Sequence, residues 1–434
     1  MKVVGGKWSN WSGAVSWKPQ EILAPTDEVA LAAAMRASER TVRAPGSGHS
    51  FTPLCQTDGL LVDLSAFAGV REVSQDKSLA TIGAGTPLWA LGAALHAQGA
   101  GLCNMGDIDR QTLGGVVGTA THGTGITLGS LSSEVRGFRL ILASGELINC
   151  SSNENSDVFR AGAVSLGTLG LMTDITIAVR PAYKLVENNF LLPHDELFRR
   201  LDELVSNNRH FEFFWFPYAD AAVCKTLNET DVAASAPRNP EALRRRGERV
   251  GFESRAFAAV NEVLPFAPFL LGSAHALFSR LMPGPPGARW SHEAFPSPRP
   301  IRFNEMEYAV PFAQGADCVR EIVEMIRKRR INTGFPLEFR TVAADDAWLS
   351  PFYRRTSATI AVHQYHRVDA TRLFNACEAI FGTYAGRPHW GKCHTRSRDA
   401  LAGLYPEFDR FRETRRTLDP SGKMLNDYLR PIFA

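Results

Sequence analysis

The sequence predicts an α+β protein of two domains, and three observations point there. Up to about Pro181, short apolar runs alternate with helix-forming ones. Beyond it, residues 306–310, 337–342 and 359–365 read as strands of one further sheet, and a helix over 368–381 follows the last of them. With 434 residues, 44% of them hydrophobic and 21% charged, the chain can bury more than one core and has the balance of a globular protein. A boundary between Arg180 and Asn188 gives expected domains of 1–182 and 183–434.

In chain order, residues 60–64 and 79–83 are apolar strands. Gly85-Thr86-Pro87 opens a helix through Leu95, and Pro87 suits its first turn, where a missing N–H costs nothing. Gly83-Ala84-Gly85 is no dinucleotide loop, because Leu88 stands where the third glycine belongs and Pro87 precedes it. Residues 138–142, the turn Ser144-Gly145 and residues 146–150 form a hairpin-like pair, and 171–179 is an alternating strand that closes the first domain. Residues 210–216 are aromatic and strand-like, and Pro217 ends them. Residues 239–300 are rich in proline and arginine and helical in patches, as expected of an excursion over the surface.

The formal charge of +3 gives no reason to expect nucleic acid. The run Arg244-Arg245-Arg246-Gly247-Glu248-Arg249 reads as a solvated face, with membrane-surface docking as the alternative. No run of 18 apolar residues occurs; the most apolar stretch, 260–271, is interrupted by Asn261, Glu262 and two prolines. Residues 1–6 lack the apolar core of a signal peptide. Seven scattered cysteines without a Cys-x-x-Cys pair fit reduced thiols, a cytoplasmic location that at most touches a membrane peripherally, and no metal site.

Two segments depart from this ordinary background. Val42-Arg43-Ala44-Pro45-Gly46-Ser47-Gly48-His49-Ser50-Phe51 runs from an apolar start into a turn of small residues, where backbone N–H groups can converge on an anion such as a phosphate. It lacks the lysine of a nucleotide-hydrolase loop and carries His49 instead. The second segment, from Asn104 to Gly125, holds Gly106, Gly114, Gly115, Gly118, Gly123 and Gly125 among Thr112, Thr119, Thr121 and Thr124, with His122 near its end. As a core helix it would be poor, since each internal glycine costs about 1 kcal/mol against alanine. Such density permits close backbone approach to an extended polar ligand.

The His49 loop, Thr121-His122-Gly123-Thr124-Gly125 and His389-Trp390-Gly391-Lys392, in that order and spacing, resemble the vanillyl-alcohol-oxidase flavoproteins, and within them the aldonolactone oxidase and alditol oxidase branch. The resemblance spans nearly the whole chain. It implies an N-terminal FAD-binding domain of the PCMH type, and a C-terminal substrate (cap) domain with an antiparallel sheet flanked by helices, whose last segment returns to the flavin. It implies FAD joined covalently to His49 through the flavin 8α-methyl carbon. A single link is expected, because Ile108 stands where relatives with a second link place a cysteine. Ala44, Pro45, Gly46, Ser47, Gly48 and Ser50 are expected at the cofactor, with Gly106, Asp107, Thr112 and Gly115. Val116, Val117, Gly118, Ser165 and Lys392 are expected there too, mostly through backbone groups; His122 binds cofactor or holds the glycine-rich loop.

Glu338 and Arg340 alternate with Phe339 on one strand and therefore project together. An ion pair flanked by apolar residues costs desolvation unless it has work to do; a plain interdomain salt bridge is the alternative. The resemblance places the pair beside the flavin, with Glu338 on a substrate hydroxyl and Arg340 on flavin charge or the sugar. Lys392 and then His363 are the candidates for the base that takes the hydroxyl proton. Asp107 and Tyr365 match the lactone-oxidising members better than the alditol oxidases, which favours a sugar lactone over a polyol such as xylitol or sorbitol. Gly106 falls where relatives guard flavin access to dioxygen, so dioxygen is the expected acceptor and hydrogen peroxide the product; a lactone dehydrogenase using another acceptor is the alternative. A flavin-binding scaffold without turnover is the reading from a different class.

Overall fold

The computed structural model describes residues 3–4, 6–235, 252–282, 287–297 and 301–434. The α+β class holds, and two large antiparallel sheets organise the chain. In the first, Val70–Val73, Leu79–Gly83, Leu171–Pro181, Val135–Ile141 and Leu147–Ser151 lie side by side, and Ala100–Leu102 pairs with the far end of Leu171–Pro181. The expected hairpin is present, with Gly145 at φ +78° in its turn. Pro87 is the exception in this half. It sits at the N-cap with extended backbone (φ −67°, ψ 140°) and the helix is Leu88–Ala97, so proline ends the incoming strand direction instead of entering the first turn. A small parallel sheet of Glu21–Leu23, Leu60–Val62 and Val42–Arg43 delivers the chain into the His49 loop.

The second sheet has eight strands in the order Gly287–Trp290, Lys184–Pro193, Ala221–Glu229, His210–Trp215, Leu337–Val342, Ser357–Tyr365, Phe303–Pro311, Arg387–Pro388. The chain passes from one sheet to the other between Pro181 and Lys184. Its two faces have opposite chemistry, which follows from period-2 alternation along each strand. Phe211, Phe213, Met306, Tyr308, Phe339, Ile360 and Val362 share one face and pack against the helices Phe312–Lys328 and Thr371–Thr383. The alternate positions Glu212, Lys225, Glu305, Glu307, Glu338, Arg340 and His363 share the other, by the registers Glu212↔Lys225, Phe213↔Phe339, Glu338↔Ala361 and Glu305↔His363.

Three elements lie beyond the sequence expectation. The strands Lys184–Pro193 and Ala221–Glu229 and the helix Phe312–Lys328 were not expected, although Cys318, Val319, Ile322, Val323 and Ile326 repeat at helical spacing. Within the expected 239–300 excursion, Phe252–Val263 and Leu271–Leu281 are helices, while Gly287–Trp290 joins the sheet as an edge strand. The arginine run 244–249 lies outside the described residues. The last helices return to the first core, where Leu401, Tyr405, Phe408, Phe411 and Leu425 join Leu91 and Val116. All seven cysteines are free thiols, and among the described residues no helix is long and apolar enough to cross a membrane.

Candidate active site

A cavity of about 550 Å³ lies between the two sheets, walled at one end by the His49 loop and the glycine-rich segment and at the other by the charged sheet face. Gly48 has φ +76°, and a Cβ there would stand 2.8 Å from the Trp8 ring, so glycine is required by both conformation and space. Phe51 N–H donates to the Gly391 carbonyl at 2.7 Å and Thr52 Oγ1 to the Trp390 carbonyl at 2.9 Å, which ties this loop to the segment carrying Lys392. Arg43, 2% exposed, secures the loop from behind by donating to the carbonyls of Leu166, Gly167 and Met424.

The loop is suited to an anionic cofactor. Among the described residues, no partner receives the backbone N–H groups from Gly46 through Ser50, and those residues line the cavity. Five unpaired donors in a small-residue turn fit the pyrophosphate of FAD, and the cavity volume is within the range of cofactor sites. His49 stacks at 5.9 Å on Trp11 and has no hydrogen-bond partner among the described residues. Burial, and then the charges of Lys392 and Arg110, push its imidazole down to about 4, so it is neutral at pH 7.

Glu338 and Arg340 project together, as their alternation requires, and reach more partners than the sequence indicated. Arg340 Nη2 pairs with Asp107 at 2.8 Å and with Glu338, while Nε donates to Glu212 at 2.7 Å. Lys225 pairs with Glu212 from the other side at 3.1 Å. Burial pulls the Arg340 guanidinium down, but Asp107, Glu338 and Glu212 outweigh it and hold it well above the ordinary value. Glu338 and Asp107 are thus held at the cavity wall by the guanidinium.

The neighbouring strand supplies two carboxylates that sequence reading missed. Glu305 pairs with Lys392 and lies 3.6 Å from His363 Nε2, its register partner. Burial raises its carboxyl, but Lys392 and then His363 overcome that and leave it below the usual range. Glu307 holds His122 Nε2 at 2.6 Å, while His122 Nδ1 faces the Gly123 carbonyl at 2.8 Å. The signal existed: Glu305-Met306-Glu307 alternates like Glu338-Phe339-Arg340 and was open to the same argument. His389, buried and pushed down to about 4 chiefly by burial, also lines the cavity and was missed.

Most of the expected site residues meet in this cavity: Ala44 through Ser50, Gly106, Asp107, Thr112, Gly115, Gly118, His122, Ser165, Glu338, Arg340, His363 and Lys392 all line it. Three do not. Val116 and Val117 face the first core, and the wall from their helix is made by Gly114, Gly115 and Gly118, whose lack of side chains lets the helix come close. Tyr365 packs with Phe51, Phe303 and Phe335 outside the wall, and its hydroxyl donates to Glu262 at 2.5 Å. Gly106 lines the cavity, but a Cβ there would come 2.9 Å from the His122 carbonyl oxygen, so packing alone already demands glycine.

A family model described as D-arabinono-1,4-lactone oxidase matches residues 175–432, and one described as FAD binding domain matches residues 19–151. The chain is 37% identical over 430 residues to L-gulono-1,4-lactone dehydrogenase of Mycobacterium tuberculosis, covering 98% of this chain and 99% of that protein. It is 29% identical to L-gulonolactone oxidase of Mus musculus over 99% of this chain and 98% of the relative. Alditol oxidase of a Streptomyces species is also 29% identical, over 98% of each. In fold the chain resembles the crystal structure of cholesterol oxidase from B. sterolicum, with a TM-score of 0.82 at 15% identity over 99% of this chain and 97% of that one.

Proposed function

The chain belongs to the D-arabinono-1,4-lactone oxidase family of FAD-dependent oxidoreductases, and on that premise we propose that it oxidises a carbinol of an aldono-1,4-lactone. One observation carries this reading: a loop with five unpaired N–H groups, the Arg340 carboxylate cluster and the His363–Glu305–Lys392 group line a single cavity. Bound FAD would supply the two-electron acceptor for oxidation of the carbinol carbon. The N–H groups of 46–50 hold its pyrophosphate. Glu338 and Asp107 accept hydrogen bonds from substrate hydroxyls, and Arg340, its Nε and Nη2 engaged by carboxylates, keeps them in place.

His363 is proposed as the proton acceptor, ahead of Lys392. Its Nδ1 faces the Pro336 carbonyl at 3.2 Å and therefore carries a hydrogen, which turns Nε2 toward Glu305. Glu305, 3.6 Å from Nε2, offsets the positive charge that forms there. Lys392 is committed to Glu305, and an ammonium in an ion pair has no lone pair to offer. Of the two positions that favoured a lactone, only Asp107 lines the cavity, so Tyr365 no longer supports that choice. Dioxygen is the proposed acceptor, although packing against His122 by itself accounts for glycine at 106. The test is a panel with gulono- and galactono-1,4-lactones beside xylitol and sorbitol, each with air and with a dye under nitrogen. Lactones should be preferred by about tenfold or more in kcat/KM, equivalent to about 1.4 kcal/mol, and hydrogen peroxide should form in air. Preference for the polyols would overturn the substrate, and turnover with dye alone would overturn the acceptor.

His49 is proposed to carry the single covalent bond to the flavin, since its neutral, unpartnered ring offers a lone pair at the cavity wall. Acid precipitation should leave the pigment in the wild-type pellet and release it to the supernatant from His49→Ala. Pigment free in both would overturn the link.

A further inference from the structure

Thirteen large apolar side chains are exposed among the described residues, and seven fall within 263–282: Val263, Phe266, Phe269, Leu270, Leu277, Leu281 and Met282. Phe266 and Phe269 are 89% and 82% exposed, and the other exposed positions on that hairpin flank them. They sit where the helix Phe252–Val263 turns through the short Pro268–Leu270 helix into Leu271–Leu281. The turn is held firmly from beneath. Leu264, Leu271 and Phe278 are buried, Phe257 packs edge-on to Phe278 at 4.6 Å and to Phe335 at 5.1 Å, and Asn332 donates to the Leu264 carbonyl at 2.6 Å. The apolar tip is therefore a built projection and not a fraying end.

The charge around this tip is one-sided. Residues 263–292 contain no Asp or Glu. The charged side chains within 263–292 are Arg280 and Arg289, both positive. Exposed Arg280 lies on the same helix face as Leu277 and Leu281, and Arg255 is exposed on the preceding helix. We propose that the 263–282 hairpin is a membrane-docking surface, which seats Phe266 and Phe269 in the interfacial layer of an anionic phospholipid bilayer with arginines at the headgroups. Projecting aromatics suit a soft interface, whereas a protein partner would have to supply a matching cup. The missing carboxylates matter because the anionic surface attracts basic residues and repels acidic ones. The helices are too short to cross, so the chain lies on the membrane.

The proposal does not depend on the reaction assigned above. The FAD-loaded protein should co-sediment with vesicles of phosphatidylcholine containing about one-third phosphatidylglycerol, more weakly in high salt, and not with phosphatidylcholine alone. Phe266→Ser with Phe269→Ser should lower the partition coefficient about tenfold or more, and Arg280→Glu should lower it severalfold. Both side chains are exposed, so the thermal midpoint and turnover with a soluble dye should stay unchanged. Failure of the wild type to bind anionic vesicles would overturn the proposal. So would equal binding by the double variant, or wild-type self-association in the absence of lipid that the double variant abolishes.

Discussion

His363→Ala should lower kcat for a lactone by about 10²- to 10⁴-fold, the usual contribution of a positioned base, with a much smaller change in KM. The expectation rests on one tautomer and one neighbour: Nδ1 faces the Pro336 carbonyl, and Nε2 looks toward Glu305. The loss should fall on the chemical step, because Glu338 and Asp107 still line the cavity for the substrate hydroxyls. Lys392→Met tests the competing assignment. It strips Glu305 of its ion-pair partner and should weaken catalysis less than His363→Ala does, and added imidazole should restore activity to His363→Ala alone. The reverse pattern, with the larger loss in Lys392→Met and no imidazole rescue of His363→Ala, would return the base to Lys392.

Arg340→Ala should destabilise the fold by about 3–5 kcal/mol, the cost of removing one partner from a buried ion-pair network. Asp107, Glu212 and Glu338 converge within 4.8 Å of one another, and all three pair with the Arg340 guanidinium. Arg340→Lys keeps the charge but not the fork that bridges two directions, so it should recover part of the stability and little of the activity. Urea unfolding at pH 7 checks the first figure. A variant as stable as wild type at pH 7 would mean that the carboxylates are not held by Arg340.

Local pattern made much of this protein legible. Gly46-Ser47-Gly48-His49 could be read as an anion turn because small residues and unpaired N–H groups are local properties, and Glu338 with Arg340 could be placed on one face because strands alternate. The same rule applied to Glu305 and Glu307 would have found them. They were passed over because an acidic pair on a strand draws notice only when its cations are seen, and Lys392, His363 and His122 lie far along the chain. Tyr365 failed for the opposite reason. Its alternation puts it on the face of His363, but the aromatic layer of Phe51, Phe303 and Phe335 closes over that end of the strand.

The sequence by itself determined the α+β class, the cofactor loop and which residues share a strand face, since these follow from backbone freedom and side-chain period within a few residues. Tertiary structure alone decided which strands are neighbours. Placing Phe303–Pro311 beside Ser357–Tyr365 sets Glu305 against His363, and docking His122 on Glu307 brings the loop to the sheet. Those pairings join residues tens to hundreds of positions apart. They are chosen by the burial of whole sheet faces, a free energy that no local window contains.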